Sequence, residues 1–575
     1  MSGTGYSFER ASMLDALRAS GHDDPFDVLV IGGGITGVGV ALDAAARGLR
    51  TALVERDDFA SGTSSKSSKM VHGGLRYLQN GEVRLVYEAL RERRRLMRNA
   101  PHLVEVLPFM IPILTKDGVV SKKVAKALGS AMWMYDVTGG WRIGRLHKRV
   151  AAEQAARHFP TAHLDKLSAG YLYYDAGADD ARLTLTIART AAQHGAVVVN
   201  RCAVVDITND VEGHADGAVI EADGERITVR ARCVVNAAGV WADEVRALDE
   251  GADPDSIRPA KGVHITIPWE KVRNDIAVII PVRSDKRSLF LVPWSPLPDG
   301  TFRHVYVGTT DTDTDESLDD PQCTGDDIDY VLTALDEALT EPITRDDITG
   351  VWAGMRPLVK AASADGANAK TTDLSRRHQV AVSESGVVRI NGGKLTTYRE
   401  MAEDTVDAVV ERIGAHRRHR HSSTRRLRLF GARPRPDSAA GTLDAHLVGR
   451  FGTEADQVRA LIAFDPSLAD PLVPGQPYVR AEAVYAARHE MVTTLDDVLV
   501  RRTRAHLFDR AATAAAAPDV AELLAAELGW DAAETARQLD RYRSLCAAEA
   551  GAARHHADTL SNTGAADAHL ANASD

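Results

Sequence analysis

Cysteine is scarce in this chain, and the little there is lies scattered. The four cysteines stand at 202, 233, 323 and 546 and form no CxxC pair. That spacing argues against a disulfide framework and against a thiolate metal site. Positive charge is not in excess either: 69 Lys plus Arg are set against 80 Asp plus Glu, a net charge of -11. The balance argues against bulk nucleic-acid binding and leaves only local basic patches open. Long apolar runs are missing. No stretch approaches the ~18 uninterrupted apolar residues of a membrane-spanning helix, so none is expected. Attachment to a membrane surface is a separate question. The first residues carry acids and polar groups before any apolar run and do not read as a secretion signal.

What is present suits a folded chain. At 575 residues with 44% hydrophobic content, it can bury real cores and is long enough for two or three domains. FDVLVIGGG at 26–34 reads as a strand ending in a glycine turn. ITGVGVALDAAARG reads as the next helix, and LRTALVE at 49–55 as a second strand. This order implies a right-handed crossover. Residues 82–100 have helical spacing of charged and apolar faces, whereas 101–180 show no regular pattern. A helix leading into a strand is expected over 179–199. Strand–glycine turn–helix patterns recur at 227–245 and 386–413. Between them, the β-rich runs GVHITI, AVIIPV, SLFLVP and HVYVGTT suit a mixed or antiparallel sheet. The stretch at 415–436, rich in charge, Gly and Pro, is a boundary signal. Alanine- and leucine-rich segments after it predict helices.

The most informative pattern is IGGGITGVG at 31–39. Gly32, Gly34 and Gly37 make a GxGxxG between an apolar strand and a helix. Gly32 suits the tight turn, Gly34 leaves room for a pyrophosphate at the helix start, and Gly37 permits close strand–helix packing. Glu55 closes the second strand twenty-one residues after Gly34, where a carboxylate accepts hydrogen bonds from an adenosine ribose. An acid there weakens the case for NADP and does not separate FAD from NAD. NAAG at 236–239 and NGGK at 391–394 add two further close-approach turns after apolar strands. If all three turns share one sheet, they bracket a long cofactor; otherwise they are fold turns.

A second conspicuous segment, SSKSSKMVHGGLRYL at 64–78, begins soon after Glu55. It is polar and basic, then abruptly apolar. Together with IGGGITGVG, DDARL, NAAGVW, KGVHI, VGTTDTD, GMRPL and NGGKLTTYR, in that order along the chain, it closely resembles the FAD-dependent glycerol-3-phosphate dehydrogenase family over about 25–545. The resemblance implies the fold class α/β and α+β: an FAD-binding Rossmann-like domain, a mixed β-sheet substrate domain and a helical C-terminal domain. The expected division is a leader at 1–24, short and helical or flexible; discontinuous FAD- and substrate-binding domains at 25–430, the substrate domain mainly in the middle; the helical domain at 431–547; and a flexible tail at 548–575.

The resemblance implies oxidation of sn-glycerol 3-phosphate to dihydroxyacetone phosphate by hydride transfer to FAD. Electrons then pass to membrane quinone or, as in related oxidases, to oxygen. For the cofactor it implies Gly32, Gly34, Gly37 and Glu55, with Ser67, Ser68, His72, Gly73, Gly74, Ala238, Gly239, Gly393, Lys394, Leu395 and Thr396 as candidates. Ser67 and Ser68 would donate hydroxyl hydrogen bonds, and Gly73 and Gly74 would let backbone lie against a flat ring. His72 is either a flavin contact or a satisfied loop histidine. Lys69 either neutralises phosphate or is a solvated charge. Arg76, Arg356 and Lys394 align with segments that hold the substrate, whose phosphate suits an arginine fork and a compact lysine charge. Tyr77 offers a hydroxyl or packs in a core. His264 is the first candidate to accept the hydroxyl proton, and Arg356 also suits a developing alkoxide.

Other readings remain at this stage. A soluble FAD oxidase producing hydrogen peroxide uses the same motifs, and a noncatalytic flavin-binding regulator would bind FAD without turnover. VGTTDTDTDES at 307–317 is rich in oxygen ligands but lacks EF-hand spacing, and no metal is expected. Residues 121–149 are basic and aromatic, and 121–135 within them read as an interfacial helix or as ordinary packing. Arg501 and Arg502 invite a catalytic role, with a salt-bridged helix as the safer expectation. The implied setting is cytoplasmic and peripheral on the cytoplasmic face of the cell membrane. The implied partners are the substrate, a quinone and a second copy in a homodimer.

Overall fold

The computed structural model describes residues 8–75, 82–114, 122–251, 255–282, 287–314, 316–360, 377–415, 419, 421–435 and 441–555. Its organising element is a six-stranded sheet in the order Gln379–Val382, Val388–Asn391, Val234–Asn236, Val28–Ile31, Thr51–Val54, Val197–Val199. Every neighbouring pair is parallel except the first. All four residues of Val28–Ile31 and of Thr51–Val54 are buried, as a sheet covered on both faces requires. Helices Ile35–Ala46 and Tyr398–Arg412 pack so closely that a Cβ on Gly39 would lie 2.8 Å from the Tyr398 ring. The N-terminal helix Arg10–Arg18 buries Met13, Leu14 and Leu17 and joins this core.

A mixed sheet of ten strands lies over the first. It contains the expected middle strands Ile257–Pro268, Ala277–Pro281, Ser288–Pro296 and Phe302–Gly308. It also contains Glu105–Leu114 and Leu167–Gly177, paired antiparallel over nearly their whole length. Residues 101–180, patternless in sequence, thus supply two of the longest strands. Pro108 and Pro112 interrupt the apolar alternation of the first of them, and proline demotes a run read without its partner.

The C-terminal part is helical: Leu443–Phe451, Ala455–Phe464, Arg480–His489, Arg510–Leu528 and Ala532–Ala552. Thr442, Asp509 and Asp531 each accept a hydrogen bond from the amide three residues on, caps worth about 1 kcal/mol apiece. The last helix continues past 548, and its Glu549 takes a hydrogen bond from His506 (2.9 Å) and Arg510 (3.3 Å).

Candidate functional site

A cavity of about 800 Å³ opens between the two sheets. Its floor is set by topology. The strands Val388–Asn391, Val234–Asn236, Val28–Ile31 and Thr51–Val54 are consecutive neighbours in the sheet. Their carboxyl ends bring three glycine turns and Glu55 to one rim, where ligands bind in open α/β sheets. Gly32 has φ +113 and a Cβ there would lie 2.7 Å from Ala237 O; a Cβ on Gly37 would lie 1.9 Å from Gly32 O. Gly37 is therefore a packing glycine, while Gly32, Gly34, Ala238, Gly239, Gly393, Lys394, Leu395 and Thr396 line the cavity. Gly34 caps helix Ile35–Ala46 with no side chain of its own; Ser64 Oγ accepts from Ile35 N instead (2.9 Å).

Glu55 also lines the cavity. Its carboxylate accepts from Gly33 N (2.6 Å) and Asp57 N (2.8 Å). Burial pushes it up to about 7, against the pull of those amides. It braces the glycine turn as well as facing the space beside it. The side-chain-free cradle and the half-buried acid at the strand end fit the dinucleotide part of FAD.

The segment after Glu55 is more rigid than its composition suggests. Ser67 Oγ donates to Asp180 Oδ2 (2.7 Å) and Ser67 N donates to the same oxygen (3.0 Å). Ser68 Oγ shares a hydrogen bond with His264 Nε2 (2.8 Å). The hydroxyls expected to donate to a cofactor are thus engaged by protein, although both serines line the cavity. Lys69 is neither solvated nor on the cavity wall. It is buried, 3.4 Å from Asp180 Oδ1, with Nζ 4.5 Å from the Trp352 ring centroid. Burial pulls its ammonium down to about 8, opposed by Asp180. His72 and Gly74 line the cavity, and His72 N donates to Thr396 Oγ1 (3.1 Å). Gly73 faces the other way. Its amide donates to Tyr135 Oη (3.1 Å) and Asp175 Oδ1 (3.3 Å), and a Cβ would strike Leu90 at 2.5 Å. The pressure for glycine there is packing, not approach to a ring. Arg76 and Tyr77 lie outside the described residues.

The roof of the cavity carries His264 and Arg356. His264 pairs in register with Trp352 on the neighbouring strand, and the two rings stack at 4.7 Å. Burial, then Lys69 and Arg356, hold the imidazole well below its ordinary value, so it is neutral at physiological pH. Arg356 is fixed by Thr309 Oγ1 (2.9 Å), Thr310 O (3.0 Å) and Asp311 Oδ1 (3.2 Å). Residues 309–311, from the stretch rich in oxygen ligands, therefore serve as the arginine's bracket.

Sequence reasoning passed over several of these residues. Asp180 sits inside DDARL at 179–183 and anchors the 65–69 loop through Ser67 and Lys69. Trp352 and Tyr306 carried no signal, because strand pairing brings them to His264. Arg501 and Arg502 close on Asp58 with bonds of 2.6 to 2.8 Å, the salt-bridged arrangement.

Residues 27–399 match the family described as FAD dependent oxidoreductase. Residues 414–535 match the C-terminal domain of alpha-glycerophosphate oxidase. Glycerol-3-phosphate dehydrogenase 2 of Mycobacterium tuberculosis is 41% identical over 547 residues, 92% of this chain and 89% of that one. The mitochondrial glycerol-3-phosphate dehydrogenase of Homo sapiens is 36% identical over 558 residues, 92% and 74% of the two chains. The glycerol-3-phosphate dehydrogenase of Bacillus halodurans, solved in complex with FAD, is similar with a TM-score of 0.72 at 29% identity, covering 93% of this chain and 97% of that one.

Proposed function

Because the chain belongs to the FAD-dependent oxidoreductases, we propose that it oxidises sn-glycerol 3-phosphate to dihydroxyacetone phosphate with FAD as its cofactor. FAD, when bound, supplies the two-electron acceptor for the hydride leaving the substrate's secondary carbon. The residues that would hold it are the turn Gly32–Gly34, Glu55, Ala238, Gly239, Gly393, Leu395 and Thr396, with His72 and Gly74 along the same wall. The chain's own side chains do the rest. Arg356, Lys394 and, beyond the described residues, Arg76 and Tyr77 would bind and orient the phosphate dianion. A neutral His264 takes the hydroxyl proton at Nε2, the nitrogen now shared with Ser68 Oγ. Arg356 stabilises the charge that develops as the proton leaves.

One observation carries this reading: a neutral histidine and a fixed arginine face a glycine-lined floor across a single cavity. Anaerobic addition of sn-glycerol 3-phosphate to the FAD-loaded protein tests it. Loss of oxidised-flavin absorbance is expected. Intact bound FAD that stays oxidised would sink the assignment.

For the electron acceptor the reading is a membrane quinone, reached from a peripheral position on the cytoplasmic face. It is supported by the exposed side of helix Lys122–Thr138 and the turn after it, where Trp133, Val137 and Trp141 are 60%, 74% and 52% exposed, beside exposed Arg145, Lys148 and Arg149. Among the described residues no helix is long and apolar enough to cross a membrane. The second reading is an oxidase; it draws on the match of residues 414–535 to the C-terminal domain of alpha-glycerophosphate oxidase. Stoichiometric hydrogen peroxide would favour it, and rapid quinone reduction with little peroxide the first. The division into FAD, substrate and helical domains at about 25–430 and 431–547 belongs to the same reading.

A further inference from the structure

Arg504 comes from the helical C-terminal part, directly after the π-helical turn Asp497–Arg502, yet it reaches the loop beneath the site. It is 1% exposed. Its Nη2 donates to Ser65 O (2.7 Å) and to Asp180 Oδ1, and its Nε lies 3.4 Å from Asp179 Oδ1. Asp180, wholly buried, extends the connection. Its Oδ2 accepts from Ser67 N and Ser67 Oγ, and its Oδ1 faces Lys69 Nζ. Ser68 is therefore strung between two residues clamped to one carboxylate. Its carbonyl accepts from Tyr306 Oη (3.0 Å), and the neighbouring Ser67 carbonyl accepts from Trp352 Nε1 (3.2 Å). Its hydroxyl meets His264 Nε2 at 2.8 Å.

The geometry points to Arg504 as a positioning residue for His264. The guanidinium sets the 65–69 loop through Ser65 O and Asp180, and the loop sets the hydroxyl that aims the proton-accepting nitrogen. The inference rests on the proposed role of His264. Without Arg504, Asp180 keeps Lys69 as its remaining ion-pair partner among the described residues. A buried carboxylate that loses a cation is strongly destabilised where it stands, and the loop must move or admit water. A displacement of about 1 Å in such a support costs about 100-fold in rate. Arg501 and Arg502 turn to Asp58 instead, so the same short segment holds the fold with two arginines and the site with a third.

The test uses the FAD-loaded full chain as Arg504→Gln, Arg504→Lys, Ser68→Ala and the Arg504→Gln/Ser68→Ala double variant. It reads single-turnover flavin reduction across pH, FAD content and melting temperature. Arg504→Gln is expected to keep FAD and reduce it about 100-fold more slowly, with Arg504→Lys recovering part of the loss. Its pH midpoint should rise as water reaches His264, whose surroundings are Ser68 and Lys69 from the loop, Tyr306, Trp352 and Arg356 from the strands. The double variant should be no slower than the slower single variant, because both changes break one connection. Three results would overturn the inference: an unchanged rate and midpoint in Arg504→Gln; losses in both Arg504 variants that only track lost FAD; or a double variant showing the product of the single losses. His264→Ala, run alongside, separates this inference from the reading beneath it. Undiminished reduction in His264→Ala removes the histidine's role, whereas slow His264→Ala with normal Arg504→Gln removes only that of Arg504.

Discussion

Glu55 and His264 face the same cavity and are both shifted by burial, with opposite consequences for stability. Glu55 is pushed up from 4.5 to about 7. Between those values the folded state binds more protons than the unfolded state, so this group's contribution falls as pH rises through the window. In FAD-free protein, Glu55→Gln should flatten the fall in melting temperature between pH 4.5 and 7; parallel curves for variant and wild type would contradict the shift. His264 is held well below 6.5. Here the unfolded state binds more protons, so stability is lost as pH falls below 6.5. The neutral imidazole also persists into that range, so the acid limb of flavin reduction should lie below pH 6.5. A limb at or above that value in stopped-flow reduction would point to another base. The place of Glu55 was legible from its spacing after Gly34. The state of His264 was not, because Trp352, Lys69 and Arg356 reach it only through strand pairing and loop anchoring.

At the scale of elements, the glycine turns divide into those that face the cavity and those that let elements touch. Gly37 belongs to the second kind. Gly37→Ala places a methyl 1.9 Å from Gly32 O, backbone that gives way only if the strand and helix separate. The expected cost is about 1–3 kcal/mol, read by chemical denaturation of the FAD-free protein, with weaker FAD retention in the loaded form. An unchanged midpoint would mean the first turn is looser than its spacing implies. The strand–turn–helix units at 26–55, 227–245 and 386–413 were all legible, because apolar runs bounded by glycine carry their own signal. The strands Glu105–Leu114 and Leu167–Gly177 were not. Each makes its longest pairing with the other, and prolines blur the alternation of the first.

At the scale of the molecule, the site exists only because two sheets face each other and the helical part locks the loop between them. The exposed aromatic patch around Trp133 and Trp141 lies on that same chain and predicts a docking surface. Replacing both tryptophans with glutamate should lower binding to vesicles containing anionic lipid about tenfold, measured by co-sedimentation, with flavin reduction by substrate unchanged. Equal binding of variant and wild type would contradict the proposed membrane role of this patch.

The sequence by itself determined the local pieces: apolar strands, glycine turns, the acid after the second strand, and a family resemblance strong enough to name a cofactor and a substrate class. Those are short-range properties, written in neighbouring residues. Tertiary structure alone decided that the three turns share one rim, that Gly73 packs while Gly74 lines the cavity, that Lys69 is buried against Asp180, and that Arg504 crosses from the helical domain to the loop under His264. These depend on contacts between residues far apart in sequence, from 62 positions for Gly73 and Tyr135 to 439 for Ser65 and Arg504, and burial, which sets the charge state of each group, is a property of the assembled fold.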